Sequence, residues 1–306
     1  MKKQLDRREF IKTGALGLAV ASVGLPKLAL PQAGTSDMVV VEGEVVAAMK
    51  RALEALGGIK RFLKPGMKVL IKPNIAFPYG PEKGANTDPR LVGAIAQACV
   101  DAGAAEVMVA EYSLAPGFLC LMQNGVKQEM AKVKGAQLQY FEDSDFYQET
   151  PIPGGKSLKK TKVLKKALAA DLIINAPRAK THGETTVTFG LKNLMGIVYD
   201  RKLWHSKYGL EQSIADFSTL IKPQLTIIDA SKVMVDKGPG GPGTLVPLNL
   251  VVAGVNPVET DGLMTTLTEW YGKKFAPADI KYLKLASELG LGSVDPSTYK
   301  YSRLKV

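Results

Sequence analysis

Cysteine and histidine, like tryptophan, are scarce in this 306-residue chain, with two of each. Cys99 and Cys120 sit in apolar contexts, I-A-Q-A-C-V and G-F-L-C-L-M, and both read as buried small hydrophobes on helices. No C-x-x-C-x-x-C run exists, so the chain's own cysteines cannot hold an iron–sulfur cluster of the usual kind. The G-x-S-x-G elbow of serine hydrolases is missing as well. Gly238–Gly243 (G-P-G-G-P-G) lacks the G-x-x-x-x-G-K-S/T spacing of a phosphate cradle, and its prolines remove N–H donors. It reads as a rigid loop overhanging a site. Basic residues exceed acidic ones by 11, but residues 1–30 carry six of the former against two of the latter. A lysine cluster at Lys156, Lys159, Lys160, Lys162, Lys165 and Lys166 has the look of a solvated helix face. Without interleaved aromatics or a reader motif, nucleic-acid binding is not expected; an acidic small molecule or acidic partner suits the charge better.

The first segment reads M-K-K-Q-L-D-R-R-E-F-I-K and then a Gly/Ala-rich apolar run broken by Pro26 and Lys27. That run is short for a membrane span of about 20 residues. Paired Arg7 and Arg8 followed by Phe10 resemble a twin-arginine export signal. The resemblance implies the twin-arginine translocation machinery as a partner, a periplasmic or extracytoplasmic destination, and a protein that crosses the membrane already folded. Residues 1–35 are therefore assigned to the signal and a short linker, and 36–306 to a single α/β domain.

Within that domain β-rich runs alternate with helical ones. Lys68–Pro73 (K-V-L-I-K-P) follows the turn at Pro65-Gly66, and Thr87-Asp88-Pro89 caps a helix running to about Ala102. Glu106–Glu111, Gln137–Glu142, Asp171–Asn175, Leu225–Asp229 and Leu248–Ala253 read as further strands, and Val258 to about Tyr271 as a helix. The pattern predicts an α/β fold: a mostly parallel sheet built from βαβ units, with helices on both faces. Chemistry in such sheets gathers where loops leave the carboxyl ends of strands. Four polar clusters occupy such boundaries: Lys72-Pro73-Asn74, Asn175 to His182, Asp229 onward, and Asn256 to Asp261.

The histidines themselves are placed unevenly. His182 precedes Lys192 by ten residues, and His205 follows it by thirteen. Glycines at 190 and 196 flank the lysine and permit close approach of backbone to a ligand. A lysine held there could be a point charge for an anion, a covalent anchor for a carbonyl-bearing cofactor, or a base of lowered pKa. His182 and His205 are candidates for metal ligation or proton transfer, with Asp200, Asp229 or Asp261 completing a metal's coordination. Lys192, His182 and His205 are thus the candidate catalytic residues. Lys72, Asn74, Lys180 and Asn193 are candidates for holding a cofactor or anion, and His182, His205, Asp229 and Asp261 for holding a metal.

The run A-D-L-I-I-N-A-P-R-A-K-T-H-G-E-T-T-V-T-F-G-L-K-N-L-M-G resembles the central signature of the family catalogued as "domain of unknown function 362". So do V-L-I-K-P-N (69–74), T-D-P-R-L-V (87–92), G-A-A-E-V (103–107) and N-P-V-E-T-D (256–261), together spanning roughly 65–272. Many members carry a ferredoxin-like cluster segment whose cysteines this chain lacks. The order His182, Lys192, His205 is also similar to that of nickel-pincer racemases of the lactate racemase type, which attach a pyridinium-derived cofactor to a lysine. The histidine–lysine clustering, together with an export signal suited to a prefolded cofactor protein, points to an exported enzyme, a metal-dependent oxidoreductase or isomerase, with a divalent metal or metal–organic cofactor around His182, Lys192 and His205. Two alternatives stand beside it: a non-catalytic binder of an anionic small molecule, and a scaffold partner of a separate iron–sulfur redox protein.

Overall fold

The computed structural model describes residues 37–306, so the expected export signal lies outside the described residues. At the centre is a ten-stranded sheet. Its strands in chain order are β1 (Met38–Glu42), β2 (Lys68–Pro73), β3 (Glu106–Glu111), β4 (Ala136–Tyr140), then β7 (Leu172–Ala176), β8 (Arg178–His182), β9 (Thr186–Thr188), β10 (Leu225–Met234), β11 (Leu245–Gly254) and β12 (Tyr301–Lys305). Between β4 and β7 the chain makes a separate antiparallel pair, β5 (Tyr147–Pro151) and β6 (Lys160–Leu164).

Across the main sheet the order is β12-β1-β11-β10-β7-β2-β3-β4, with β8 paired to β10 and β9 to β8. The run β10-β7-β2-β3-β4 is parallel throughout. Only β11 is inserted antiparallel to both its neighbours in that row. The expected α/β class with a mostly parallel sheet is what the chain adopts.

Alternation along the strands explains why both faces are covered. In β2, Leu70 joins one apolar cluster while Val69 and Ile71 join the other, and Ile173 opposes Leu172 and Ile174 in the same way in β7. Successive side chains of a strand leave by opposite faces, so a near-continuous apolar run needs a helical layer on each side. One layer consists of α1 (Val45–Ala55), α2 (Pro89–Asp101), α3 (Gly117–Gln123) and α4 (Val126–Met130). The other includes the helices Leu210–Leu220, Pro257–Thr266 and Lys281–Glu288. Both cysteines are buried and unpaired in the first layer. Asp88 caps α2 as its sequence predicts, accepting the Arg90 N–H, with Pro89 in the first turn.

Two local expectations are corrected. The lysine run is not one helix face: Lys160–Leu164 is a strand, with Thr161 and Val163 buried and Lys160 exposed, and only Lys165 and Lys166 are helical, in the short α5 (Lys165–Leu168). Its charges are met nearby, Lys160 by Glu149 and Lys166 by Glu106. The helix expected from Val258 to about Tyr271 stops at Thr266. Among the described residues, no helix is long and apolar enough to cross a membrane.

Order reverses between β2 and β7. From β2 the chain steps outward through β3 and β4, then returns to lay β7 and β10 on the opposite side. At such a switch point the loops leaving adjacent carboxyl ends diverge and leave a crevice.

Candidate functional site

The crevice between the ends of β2 and β7 is floored by a polar lattice centred on Asn193. Its amide nitrogen donates to the carbonyls of Lys72 (3.0 Å) and Pro73 (3.3 Å) and to Asn175 Oδ1 (2.8 Å). Asn193 Oδ1 accepts from Asn74 Nδ2 at 3.2 Å and lies 3.4 Å from Lys72 Nζ. Pro73 has no N–H to offer the sheet, and its carbonyl accepts from the Lys72 ammonium at 2.5 Å. Asn193 belongs to the short helix α6 (Gly190–Asn193), which enters directly after β9. A carboxylate holds that turn in place: Asp261 accepts the Gly190 N–H at 2.8 Å and the Leu191 N–H at 2.9 Å, one on each oxygen. Asn175 completes the fastening through Gly190 O at 2.8 Å. Glycine is required at 190, where a Cβ would lie 2.8 Å from Asp261 Oδ1 and 3.1 Å from Thr226 Cγ2.

Above this floor opens a cleft of about 710 Å³ whose lining includes Lys72, Asn74, Lys180, His182, Lys192, Asn193, Arg201 and His205. On its lining Lys72, Lys180, Lys192, Arg201 and Lys202 outnumber Glu111, Glu142 and Asp200. Lys72 is fully buried and paired with Glu111 at 2.9 Å; burial lowers its pKa, while the carboxylate opposes that. Lys180 is as deeply buried, donating to Asn74 Oδ1 (2.7 Å) and the Ala85 carbonyl, with its ammonium 5.1 Å from the centre of the Phe77 ring. Burial, with Lys192 and Arg178 nearby, holds its pKa well below the ordinary lysine value.

The Lys192 ammonium lies 3.7 Å from Met195 Sδ, and burial lowers its pKa to about 8 against the opposing pull of Glu184. Arg201 stacks on Tyr112 at 4.1 Å and donates to the carbonyls of Tyr112 (2.5 Å) and Ser113 (2.6 Å). Among the described residues, no carboxylate forms an ion pair with Lys180, Lys192 or Arg201.

The histidines are close to one another but differ in surroundings. His182 Nδ1 accepts the N–H groups of Glu184 (3.2 Å) and Thr185 (3.4 Å), which leaves Nε2 to carry the proton of the neutral ring. Burial first, and then the adjacent Lys192 and Lys180, push its pKa down to about 3. His205 is more open, and its Nδ1 lies 3.0 Å from each carboxylate oxygen of Glu184. One residue, Glu184, therefore braces both rings, the first through its backbone and the second through its side chain.

Of the sequence-predicted residues, Lys72, Asn74, Lys180, His182, Lys192, Asn193 and His205 converge on this cleft. Asp229 and Asp261, the expected metal ligands, do not line it. Asp229 follows Leu225 and Ile227 in alternation, and both of those join the cluster on the α2 side of the sheet. Its oxygens are occupied there by Arg178 (2.5 Å), the Asp88 N–H (2.8 Å) and Ser231. Asp261 is fully buried behind α6, and burial raises its pKa to about 7 against the pull of its two amide donors. Asp200 reaches the cleft, but its Oδ1 accepts from Thr161 Oγ1 (2.5 Å) and the Lys162 N–H (3.1 Å). Among the described residues, no group of three or more His, Cys, Asp or Glu is placed to hold a metal ion.

Glu111 and Arg201 were not anticipated. Glu111 had a signal, as an acid closing the otherwise apolar strand V-M-V-A-E. Arg201 had none, because its burial depends on packing against Tyr112. Trp204, beside His205, proves to be core, tilted against Phe217. The G-P-G-G-P-G loop does reach the site: Pro239 is part of the cleft wall, and the Gly238 N–H donates to Thr181 Oγ1 at 3.1 Å.

Comparison with known proteins places this geometry in a family. The thylakoid-associated protein sll1697 of Synechocystis sp. (strain ATCC 27184 / PCC 6803 / Kazusa) is 29% identical over 269 residues, covering 81% of this chain and 76% of that protein. Among solved structures, the lactate racemase apoprotein from Thermoanaerobacterium thermosaccharolyticum aligns with a TM-score of 0.41 at 15% identity. That alignment covers 71% of this chain and 54% of the racemase, so the chain spans about half the racemase's length. Residues 69–266, which carry every element of the lattice around Asn193, match the profile described as "Domain of unknown function (DUF362)", and the chain belongs to that family.

Proposed function

We propose that the cleft binds a small anionic molecule and that the chain acts on it as an enzyme, with Lys192 as the reactive amine and His182 as a neutral hydrogen-bonding partner. The observation that carries this reading is the charge imbalance. Lys180, Lys192 and Arg201 face one concavity with their charges unpaired, while Glu111, the buried carboxylate beside them, is committed to Lys72. Buried cations are costly unless paired, and an anionic ligand supplies the missing partner. A lysine with a pKa near 8 keeps about a tenth of its amine neutral at pH 7. That fraction can serve as base or nucleophile while the rest attracts the anion. His182 brings an Nε2–H that stays uncharged at neutral pH.

Thermal stabilisation by a panel of small carboxylates and phosphate esters tests the reading. A ligand present at 100 times its Kd should add about 2.7 kcal/mol. The effect should weaken with salt and fall as pH rises through about 8, where Lys192 loses its charge. Lys192→Met should remove that pH dependence, and His182→Gln should spare binding while abolishing turnover. Stabilisation indifferent to salt and to Lys192→Met would sink the proposal. Export belongs to the same reading, supported by Arg7, Arg8 and Phe10. Fractionation of the producing cell, comparing the native chain with an Arg7→Lys, Arg8→Lys variant, checks it.

A further inference from the structure

Two strands end the main row of the sheet, β12 and β4, and no residue of either is buried. An open strand edge invites pairing with another chain, and charged side chains on it are a common guard. β12 (Y-S-R-L-K) has that guard: Arg303 stands at its centre and Lys305 at its end, so a copy laid against it meets like charge. β4 reads A-Q-L-Q-Y, with neither charge nor proline. Among the described residues, its backbone pairs with β3 on one side and no hydrogen bond reaches its outer edge. Beside it lies a hollow of about 400 Å³, lined by Ala136, Leu138, Tyr140, Phe118 and Met122 among others. Phe118 is 58% and Met122 42% exposed.

Charge brackets this neutral strand. Lys132 and Lys134 precede it, and Glu142, Asp143 and Asp145 follow it, all exposed. Lys132 is paired with Glu129 at 2.7 Å. Among the described residues, Lys134, Glu142, Asp143 and Asp145 have no ion pair. A neutral strand that is basic before and acidic after is complementary to its own reverse.

Symmetry narrows the register. Hydrogen-bonded and non-hydrogen-bonded pairs alternate along an antiparallel ladder, so a two-fold axis must pass between a residue and its own copy. With Leu138 on the axis, Gln137 faces Gln139, Ala136 faces Tyr140, and the unpaired Lys134 faces Glu142 at both ends. With Gln137 on the axis, Glu142 would face Lys132, which Glu129 already holds. With Gln139 there, Lys134 would face Ser144.

We infer that this edge docks a second copy of the chain, two β4 strands pairing antiparallel about Leu138 with Lys134 of each copy on Glu142 of the other. The partner must offer an uncharged strand of the opposite charge order, which this chain itself carries. Pairing extends the sheet across both subunits and brings the two apolar hollows side by side. Because Glu142 also lines the cleft, the contact sets Lys134 of the second copy at the cleft rim. The inference does not depend on the anion-binding reading above.

Sedimentation velocity of the full chain over a concentration series, at low and high salt, tests it. A dimer is expected, with a dissociation constant that rises with salt. Lys134→Glu turns two attractive contacts into two repulsive ones and should weaken the dimer roughly tenfold or more; adding Glu142→Lys should restore it. Mild oxidation gives a second readout, which stays decisive if Glu142→Lys disturbs the Gly117 N–H that Glu142 accepts. Leu138→Cys should cross-link to its own copy, because directly opposed Cα atoms lie about 4.5–5.5 Å apart, within disulfide reach. Gln137→Cys should not, and the native cysteines are buried. A monomer at every concentration would overturn the inference, whether residues 1–36 or a different protein then takes the edge. A dimer indifferent to Lys134→Glu, or one cross-linked through Gln137→Cys and not Leu138→Cys, would overturn it as well.

Discussion

Asp261→Asn separates two forces that act on one carboxyl group. Asp261 is fully buried, and its two oxygens take the N–H groups that open α6, the turn presenting Lys192 and Asn193. Two donated hydrogen bonds favour the ionised form, whereas burial favours the neutral one. Burial dominates here and lifts the pKa from 3.8 to about 7. An acid with a raised pKa in the folded state holds a proton that the unfolded chain has already released. Its contribution to stability is therefore complete below about pH 4 and is lost as pH rises through about 7. At about 1.4 kcal/mol for each pH unit, the loss amounts to about 4 kcal/mol over that window. Asparagine is neutral at every pH but turns its NH2 toward one of the two backbone N–H groups, a loss of about 1–3 kcal/mol that does not vary with pH. Urea denaturation of both proteins at intervals from pH 4.5 to 8.5, subtracting one curve from the other, isolates this group from all others. The variant should be the less stable near pH 4.5, and the gap should shrink by about 3 kcal/mol by pH 8 as the wild-type carboxyl ionises. A difference flat across the range would refute the reasoning: the carboxylate would then be ionised throughout, with the two amides outweighing burial.

Two further perturbations probe the floor and the wall of the cleft. Alanine at Gly196 would place a Cβ 2.0 Å from Glu111 Oε1 and 2.6 Å from Lys72 Nζ, so the buried pair must part. That should cost about 3–5 kcal/mol in chemical denaturation, and a neutral result would mean the pair relocates freely. His182→Gln should remove acid sensitivity. Because the folded state holds the His182 pKa at about 3, its stabilising effect is present above 6.5 and is lost as pH falls toward 3. Melting temperatures followed downward from pH 7 should drop more steeply for the wild type than for the variant.

Legibility of the fold in the sequence followed burial pattern. K-V-L-I-K-P, E-V-M-V-A-E and D-L-I-I-N read as strands because apolar runs of that length, bounded by turns, have few other uses. β8 did not: R-A-K-T-H carries Arg178, Lys180 and His182 at alternate positions behind Pro177, a composition that suits a loop. It is nonetheless a buried strand, because Arg178 finds Asp229 and Lys180 finds Asn74 and Ala85. Those partners are distant in sequence and supply no local signal. Asp229 was grouped with the residues that could complete a metal's coordination, although strand alternation separates it from Lys72 and Asn175. Ile227 and Ile228 leave by opposite faces, so Asp229 departs with Ile227, away from Lys72 and Asn175. Convergence of Lys72, Lys180, Lys192 and both histidines was legible because glycine spacing and strand-end position bear directly on where side chains meet. The unpaired state of three of the cations was not, since that depends on which carboxylates packing leaves out.

The reversal of strand order between β2 and β7 also bears on how the protein is built in time. The β2-α2-β3-β4 portion is local in sequence and can pair early. By contrast β1 must wait for β11, since Met38 lies opposite Gly254, and closing so long a loop is slow. Asn193 reaches from the later half into the earlier one, tying Lys72 and Pro73 to Asn175. The cleft is therefore a seam, absent from either half alone and complete only when the two have docked. Binding of the proposed anion would double as a kinetic clock for that last docking step, reporting native molecules and remaining silent on half-assembled ones.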